Sequence, residues 1–228
     1  MLVNMKHQFT ELLSEIGFVP KDISVKRLEK AARGNGIGAD GVSLITGADF
    51  NANNDNYKLV VSVLAAALYP NVVQMLSPET KYKQTAAGAM IKPPSAEDFK
   101  FRTKADGYVH IHPSSVNAKA CQYENPYLVY HEKVKTSRVF VRELSMVPIY
   151  PMVLFGGGDG VKVELQRGKF VLLLEDGWIK FVTASHKVAE CLKEMRSELD
   201  RLLEEKIRDT SLDLNSNARG KLVISTLV

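Results

Sequence analysis

The sequence is poor in cysteine, with only Cys121 and Cys191 among 228 residues. They form no Cys-x-x-Cys pair, so the spacing of zinc ribbons and dithiol redox motifs is missing, and both read as reduced, structural residues. No apolar run reaches the roughly 18 residues that a membrane span needs, and the opening Met1-Leu2-Val3-Asn4-Met5-Lys6-His7 lacks the apolar core of a signal peptide. The expected compartment is cytoplasm or nucleus, and no membrane partner is expected. A surplus of one charge is missing too. The chain has 30 basic against 26 acidic residues, a formal net charge of +4, so any basic surface must be local.

Catalytic signatures are equally scarce. Gly34-Asn35-Gly36-Ile37-Gly38 has the glycines of a phosphate loop, but no strand precedes it, no helix follows, and the Gly-Lys-Ser/Thr of a P-loop is absent. A flexible loop is the expectation there. His131-Glu132-Lys133-Val134-Lys135 opens like a zinc-protease motif, yet Lys135 stands where the second ligand must be. His110 and His112 fall on one side of a strand without a third ligand at a convincing spacing, which fits ordinary surface or core histidines. With no nucleophile elbow, Cys/His pairing or marked carboxylate pair, neither a catalytic centre nor a metal or cofactor site is expected in this chain.

What is present is a core. The chain is 45% hydrophobic, enough for one domain or one domain with an appendage. Leu2, Met5, Phe9, Leu12, Leu13 and Ile16 share one helical face, and Gly17 ends the run. That apolar face has no partner at hand and reads as the tail of a further domain. From Pro20 to Asn56 periodicity fades into Gly, Asn and Asp, which predicts a mobile loop. Residues 57–69 are apolar almost all round and predict a buried helix of about three turns.

Short β-rich runs follow at Val72 to Leu76, Tyr108 to His112, Tyr127 to Lys135, Val139 to Leu144, Lys169 to Leu174 and Trp178 to Thr183. Five or six strands without a long helix between them predict a mainly β fold, an antiparallel barrel with flanking helices. Glu175-Asp176-Gly177 is a hairpin turn, and Val188 to Leu203 follow helical spacing behind Ser185 as N-cap, a long helix closing the barrel. Lys221 to Val228 is a β-branched run that fits either an added strand or a docked tail. The expected organisation is residues 1–56 as helical region plus loop, 57–184 as barrel domain, and 185–228 as helix and tail.

The richest chemistry lies between His131 and Arg142. Strand alternation puts His131, Lys133 and Lys135 on one side, and beyond Thr136-Ser137 it puts Arg138, Phe140 and Arg142 together. Cations interleaved with an aromatic ring suit phosphates plus a stacked base. The Thr136 and Ser137 hydroxyls could hold a phosphate between Lys135 and Arg138, or simply cap a turn. The same alternation also fits the solvated face of a half-buried sheet balanced by Glu132 and Glu143, and it does not separate the two readings. Trp178 fits a stacking platform, though such a residue is more often core.

Three strings, Tyr108-Val109-His110-Ile111-His112-Pro113-Ser114-Ser115-Val116-Asn117, Tyr127 through Arg142, and Pro151-Met152-Val153-Leu154-Phe155-Gly156-Gly157, together resemble the DEAH/RHA group of ATP-dependent RNA helicases. The resemblance runs from residue 57 to the C-terminus. Lys169 to Phe181 and the ending Arg219 to Thr226 look most like the subfamily that also carries RWD and CCCH zinc-finger regions. It implies an OB-fold over the exit of an RNA channel, preceded by the end of a ratchet-like helical domain. It also implies single-stranded RNA, the RecA-like and ratchet-like domains and a regulatory protein as partners. Lys133, Lys135, Thr136, Ser137 and Arg138 would approach the RNA backbone, with Phe140, Arg142, His110, His112, Ser114 and Ser115 nearby. A docking platform for the helicase core or a regulatory partner is the alternative role. ATP and Mg would belong to the parent's motor domains. This chain lacks the P-loop, the Asp-Glu-x-His site and the arginine finger, so alone it is expected to be neither ATPase nor helicase.

Overall fold

A computed structural model of the chain describes residues 2–20, 22–35, 40–85, 88–156, 160–216 and 218–227. These residues form two compact units, one from residues 1–60 with 198–228 and one from residues 61–197.

In the first unit, helix α1 (Leu2–Glu15) is followed by α2 (Val25–Gly34) and α3 (Gly41–Thr46). The expected loop from Pro20 to Asn56 is therefore corrected: it carries two helices and a 3₁₀ turn at Asp49–Asn51. Both helices are short, and a single fully buried residue, Leu28, anchors the charged α2 in a small cluster with Ile23 and Val42. Ten and six residues offer few repeats of a helical pattern. The caps carry the signal instead, with the Ser24 side chain accepting from the Arg27 amide and Asp40 from the Val42 amide. Gly41 is required by close approach, because a Cβ there would sit 2.2 Å from the Leu28 carbonyl oxygen. Residues 36–39 of the glycine-rich run lie outside the described residues.

Helix α1 buries His7, Thr10 and Ser14 and leaves Leu2, Val3, Phe9 and Leu12 more than half exposed, as is Ile16 just beyond it. Its polar side faces inward and its apolar side outward, the reverse of an ordinary surface helix. Helix α7 (Ala218–Leu227) takes the place of the strand or tail considered for the last residues. Arg219 pairs with Glu198 and, at 3.1 Å, with Glu205 on α6 (His186–Arg208).

The second unit holds a closed five-stranded barrel. Its strands are β1 (Val72–Leu76), β4 (Lys100–Thr103), β5 (Gly107–Ile111), β6 (Tyr127–Lys135) and β7 (Val139–Met146), in the order β1-β4-β5-β7-β6. Four of the pairings are antiparallel, and the β5–β7 pair is parallel. Between β1 and β4 a two-stranded hairpin, β2 (Lys81–Thr85) with β3 (Gly88–Lys92), forms its own sheet. The barrel interior is a cluster of Val73, Phe101, Val109, Leu128, Tyr130 and Val141.

The strands expected at 169–174 and 178–183 do form, as β9 (Lys169–Leu174) and β10 (Ile179–Thr183), but not in the barrel. With β8 (Lys162–Gln166) they make a separate three-stranded sheet. The turn between them has the predicted chemistry, with Asp176 at φ 54° and Gly177 at φ 80°. A second core joins that sheet to one flank of the barrel. It includes Val72 and Val129 of the barrel, Leu172, Leu174, Ile179 and Phe181 of the sheet, and Met152 and Val153 of α5 (Ile149–Phe155). Ala189 of α6 and Val61 and Ala65 of α4 (Tyr57–Leu68) complete it. Helix α4 buries only Val61 and Ala65, while Tyr57, Val60 and Val63 stay exposed, so the fully buried helix expected there is corrected to one with a single buried face. Trp178 packs beside this core with its ring 6.4 Å from that of Tyr127.

Candidate nucleic-acid interface

The β6–β7 hairpin holds most of the residues singled out in the sequence, and its register sorts them onto two faces. Directly opposed residues share a face. Lys133 opposes Val141 and Lys135 opposes Val139, whereas Phe140 opposes Val134 and Arg142 opposes Glu132. Lys133 and Lys135 thus lie opposite in face to Phe140 and Arg142, and the interleaved basic and aromatic stripe read from alternation is split.

Alternation also slips within β7. Val141 and Leu144 both enter the barrel interior although three residues apart, and Glu143 between them has φ 51°. A left-handed residue in a strand re-aims the side chains that follow it, as a bulge does. Alternation from sequence cannot foresee such a slip.

Each cation has its own electrostatic situation. Lys133 Nζ donates to Asp106 Oδ2 at 2.7 Å, and this bond holds the Asp106 carboxyl below its ordinary range against the opposing effect of burial. The same bond raises Lys133. A carboxylate with a depressed folded pKa adds stability above its unfolded pKa, near 3.8. It loses that contribution as pH falls through the lower folded value. At neutral pH Lys133 is therefore already latched to the β4–β5 turn. Lys135 and Arg138 are exposed and have no ion pair among the described residues. Thr136 is used by the turn, its amide donating to the Arg138 carbonyl at 2.9 Å and its hydroxyl to the same oxygen at 3.4 Å. Ser137 is exposed at the tip.

The other face gathers the histidines. In the parallel β5–β7 register His110 opposes Phe140, with ring centroids 5.9 Å apart, and His112 stands 5.8 Å from the same ring. Arg142 Nη2 lies 2.8 Å from His112 Nε2, and its Nη1 lies 3.5 Å from Glu132. A guanidinium can only donate, so Nε2 is the acceptor of that contact, while Nδ1 lies 2.7 Å from Ser114 Oγ and 3.2 Å from the Ser114 amide nitrogen. Ser115 caps the 3₁₀ turn Val116–Lys119 by accepting from the Asn117 amide. Both serines thus have structural tasks. Among the described residues no three His, Cys, Asp or Glu side chains come together as a metal site.

Strand β4 adds residues that the sequence reading missed. Lys-Phe-Arg-Thr alternates exposed and buried, which turns Lys100 and Arg102 outward. Arg102 opposes Tyr108 on β5 and donates through Nε to Gln74 at 2.7 Å. Tyr108 is 66% exposed. Lys100, Arg102, Tyr108, His110, Phe140 and Arg142 therefore continue one outer face across three adjacent strands, with Arg138 at the neighbouring turn. The signal for β4 was a four-residue alternation, too short to stand out beside the longer runs.

Barrel order and loop placement define a class. Taking the barrel strands in chain order as first to fifth, the order is 1-2-3-5-4 with closure of 4 onto 1, the Greek-key barrel in which the face of strands 2 and 3 and the loops 1–2 and 4–5 receive ligands. Here those are β4 and β5, the β2–β3 hairpin, and the Thr136–Arg138 turn. The oligonucleotide/oligosaccharide-binding (OB)-fold family matches residues 60–158, and the family described as C-terminal domain in RNA helicases matches residues 171–228. The chain carries the OB-fold and C-terminal domain found in DEAH-box RNA helicases. It is 55% identical over 227 residues to DHX57 of Homo sapiens. It is 34% identical to the DExH-box helicase DExH1 of Arabidopsis thaliana and 30% identical to the DNA/RNA helicase DHX36 of Homo sapiens. Each match covers 100% of this chain but only 16%, 18% and 19% of the respective relative. The chain thus spans less than a fifth of their length.

Proposed function

We propose that this chain is the RNA-gripping module of a DEAH-box helicase, holding single-stranded RNA at the exit of a channel formed with RecA-like and ratchet-like domains. ATP and Mg serve the motor domains of the parent, and this chain supplies grip without hydrolysis. The observation that carries the reading is the continuous basic and aromatic face on β4, β5 and β7, which offers cations for phosphates and rings for bases. Lys135, Thr136, Ser137 and Arg138 extend it as a phosphate-holding turn, while Lys133 is held back by Asp106.

Titration of single-stranded RNA against the wild type and a Lys100→Ala, Lys135→Ala, Arg138→Ala triple variant tests this. Each phosphate contact on a single strand contributes about 0.7 to the logarithmic salt slope, so the triple variant is expected to lose at least ~10-fold in affinity and about 2 units of slope. In the same titration Asp106→Asn frees Lys133 and raises affinity a few-fold. Equal affinities for wild type and triple variant overturn the reading.

Helix α1 supports a second role, docking on the helicase core. Its outward apolar face, with Phe9 60% and Leu12 52% exposed, is surface that a folded protein ordinarily covers. In the intact helicase, Phe9→Glu with Leu12→Glu is expected to raise proteolytic cleavage ahead of this region about ten-fold, as an undocked segment opens. Unchanged cleavage would remove the docking role and leave the RNA role standing.

A further inference from the structure

Strand β8 has an open edge. Its sheet runs in the order β10-β9-β8, so each outer strand has one side without a neighbouring strand among the described residues. The two sides differ. On β10 the Lys180 amide donates to the Tyr127 hydroxyl at 3.3 Å, which commits part of that edge to the barrel. β8 joins β9 through the two-residue turn Arg167-Gly168, at φ 50° and 75°, the geometry of a tight hairpin. The pair flanking such a turn, Gln166 with Lys169, is hydrogen-bonded, and bonded pairs alternate with unbonded ones along the ladder. Lys162, Glu164 and Gln166 therefore turn their N–H and C=O groups to β9. Val163 and Leu165 turn theirs outward, where no backbone hydrogen bond meets them among the described residues.

An unpaired edge is a template for another strand, and the side chains decide which strand fits. Lys162, Glu164 and Leu165 are exposed, Leu165 at 64%, and neither charge has an ion pair among the described residues. Glu164 accepts a hydrogen bond from Gln166 of its own strand. An antiparallel copy of the same strand, aligned on Val163, sets each Lys162 against the other copy's Glu164. It also brings the outward backbone groups into bonded pairs, Val163 with Val163 and Leu165 with Val161. Alignment on Glu164 would instead oppose two carboxylates, and like charges directly opposite destabilise a sheet. The charge pattern thus selects one register. Strands β2 and β3 offer no such complement, since their charged residues are all lysines, Lys81, Lys83 and Lys92.

We propose that β8 pairs antiparallel with β8 of a second copy of this chain, joining their two sheets across a two-fold axis. The contact is self-complementary in charge and in backbone hydrogen bonding, and it buries the exposed Leu165. It is also small, so a weak dimer is expected, with a Kd on the order of 100 µM.

Sedimentation velocity of the full chain over a concentration series tests this. The wild type is expected to show a monomer–dimer equilibrium. Lys162→Glu and Glu164→Lys, each alone, turn both attractive pairs into repulsive ones and should weaken self-association at least ~10-fold. Mixed in equal amounts, the two variants are complementary again, one bringing two glutamates and the other two lysines, and should form a heterodimer with about the wild-type Kd. Such rescue also shows that both variants fold. A wild type that stays monomeric up to ~1 mM overturns the proposal. So do single variants that associate as the wild type does, as a contact through the exposed face of α1 would allow, and so does a mixture of variants with native circular dichroism that stays monomeric.

Discussion

Arg196→Ala is expected to lower the stability of the barrel-bearing unit by about 3 kcal/mol, which for a unit of this size shifts Tm down by about 10 °C. Arg196 is 7% exposed. Its Nη1 donates to the Val153 carbonyl at 2.8 Å and to the Gly156 carbonyl, at the C-terminal end of α5. The last carbonyls of a helix have no partner within it, and a cation there also meets the negative end of the helix dipole. Removing the guanidinium leaves two buried acceptors unserved and a void where its stem ran. Arg196→Lys keeps the charge and has donors for two carbonyls, but its shorter side chain lacks the planar group that fills the site, so it should recover only part of the loss. Thermal unfolding followed by circular dichroism reads the effect, and an unchanged Tm for Arg196→Ala would show that α5 is capped by other means.

The second large effect is expected in the barrel interior. Leu128 is fully buried, at 0% exposure, beside Val73, Val109 and Val141. Its truncation to alanine removes packing and leaves a cavity in a closed structure with little freedom to collapse. The expected cost is about 3 kcal/mol, within the 2–5 kcal/mol typical of such changes. Val182 provides the contrast, lying on β10 at 64% exposure, where truncation should cost less than about 0.5 kcal/mol. Denaturant unfolding at constant m-value distinguishes the two. If Leu128→Ala matched Val182→Ala, the barrel interior would not be the cooperative centre of this unit.

The legible parts of the fold were those with long, regular patterns. β6 could be read to the residue because four consecutive buried positions, Tyr127 to Tyr130, give way to an exposed, charged end. The β9–β10 turn could be read because its geometry demands glycine. Sheet membership was not legible. Nothing in Lys169 to Thr183 says whether those strands close the barrel or cover its flank, since both settings bury one side. Helices α2 and α3 were hidden by the glycines around them, although Gly41 is there for helix packing.

The candidate site divided along the same line. The hairpin residues carried a visible charge pattern, and the recurrence of His110, Phe140 and Arg142 on one face follows from strand pairing that no local window contains. Lys100 and Arg102 escaped because a four-residue strand offers too few alternations. The latching of Lys133 by Asp106 joins residues 27 apart in sequence and could only emerge from the folded chain.

The left-handed residue at Glu143 has a consequence beyond the residues it re-aims. By breaking alternation partway along β7, it lets Val141 and Leu144, three residues apart, both fill the barrel, so that the hairpin is committed to the interior up to Val139 and only the turn beyond is not. The tip can then be rewritten in charge, length or hydroxyl content without renegotiating which side chains fill the barrel. A lineage of helicases sharing one barrel can in this way vary the Thr136–Arg138 turn while Val139, Val141 and Leu144 keep the interior filled.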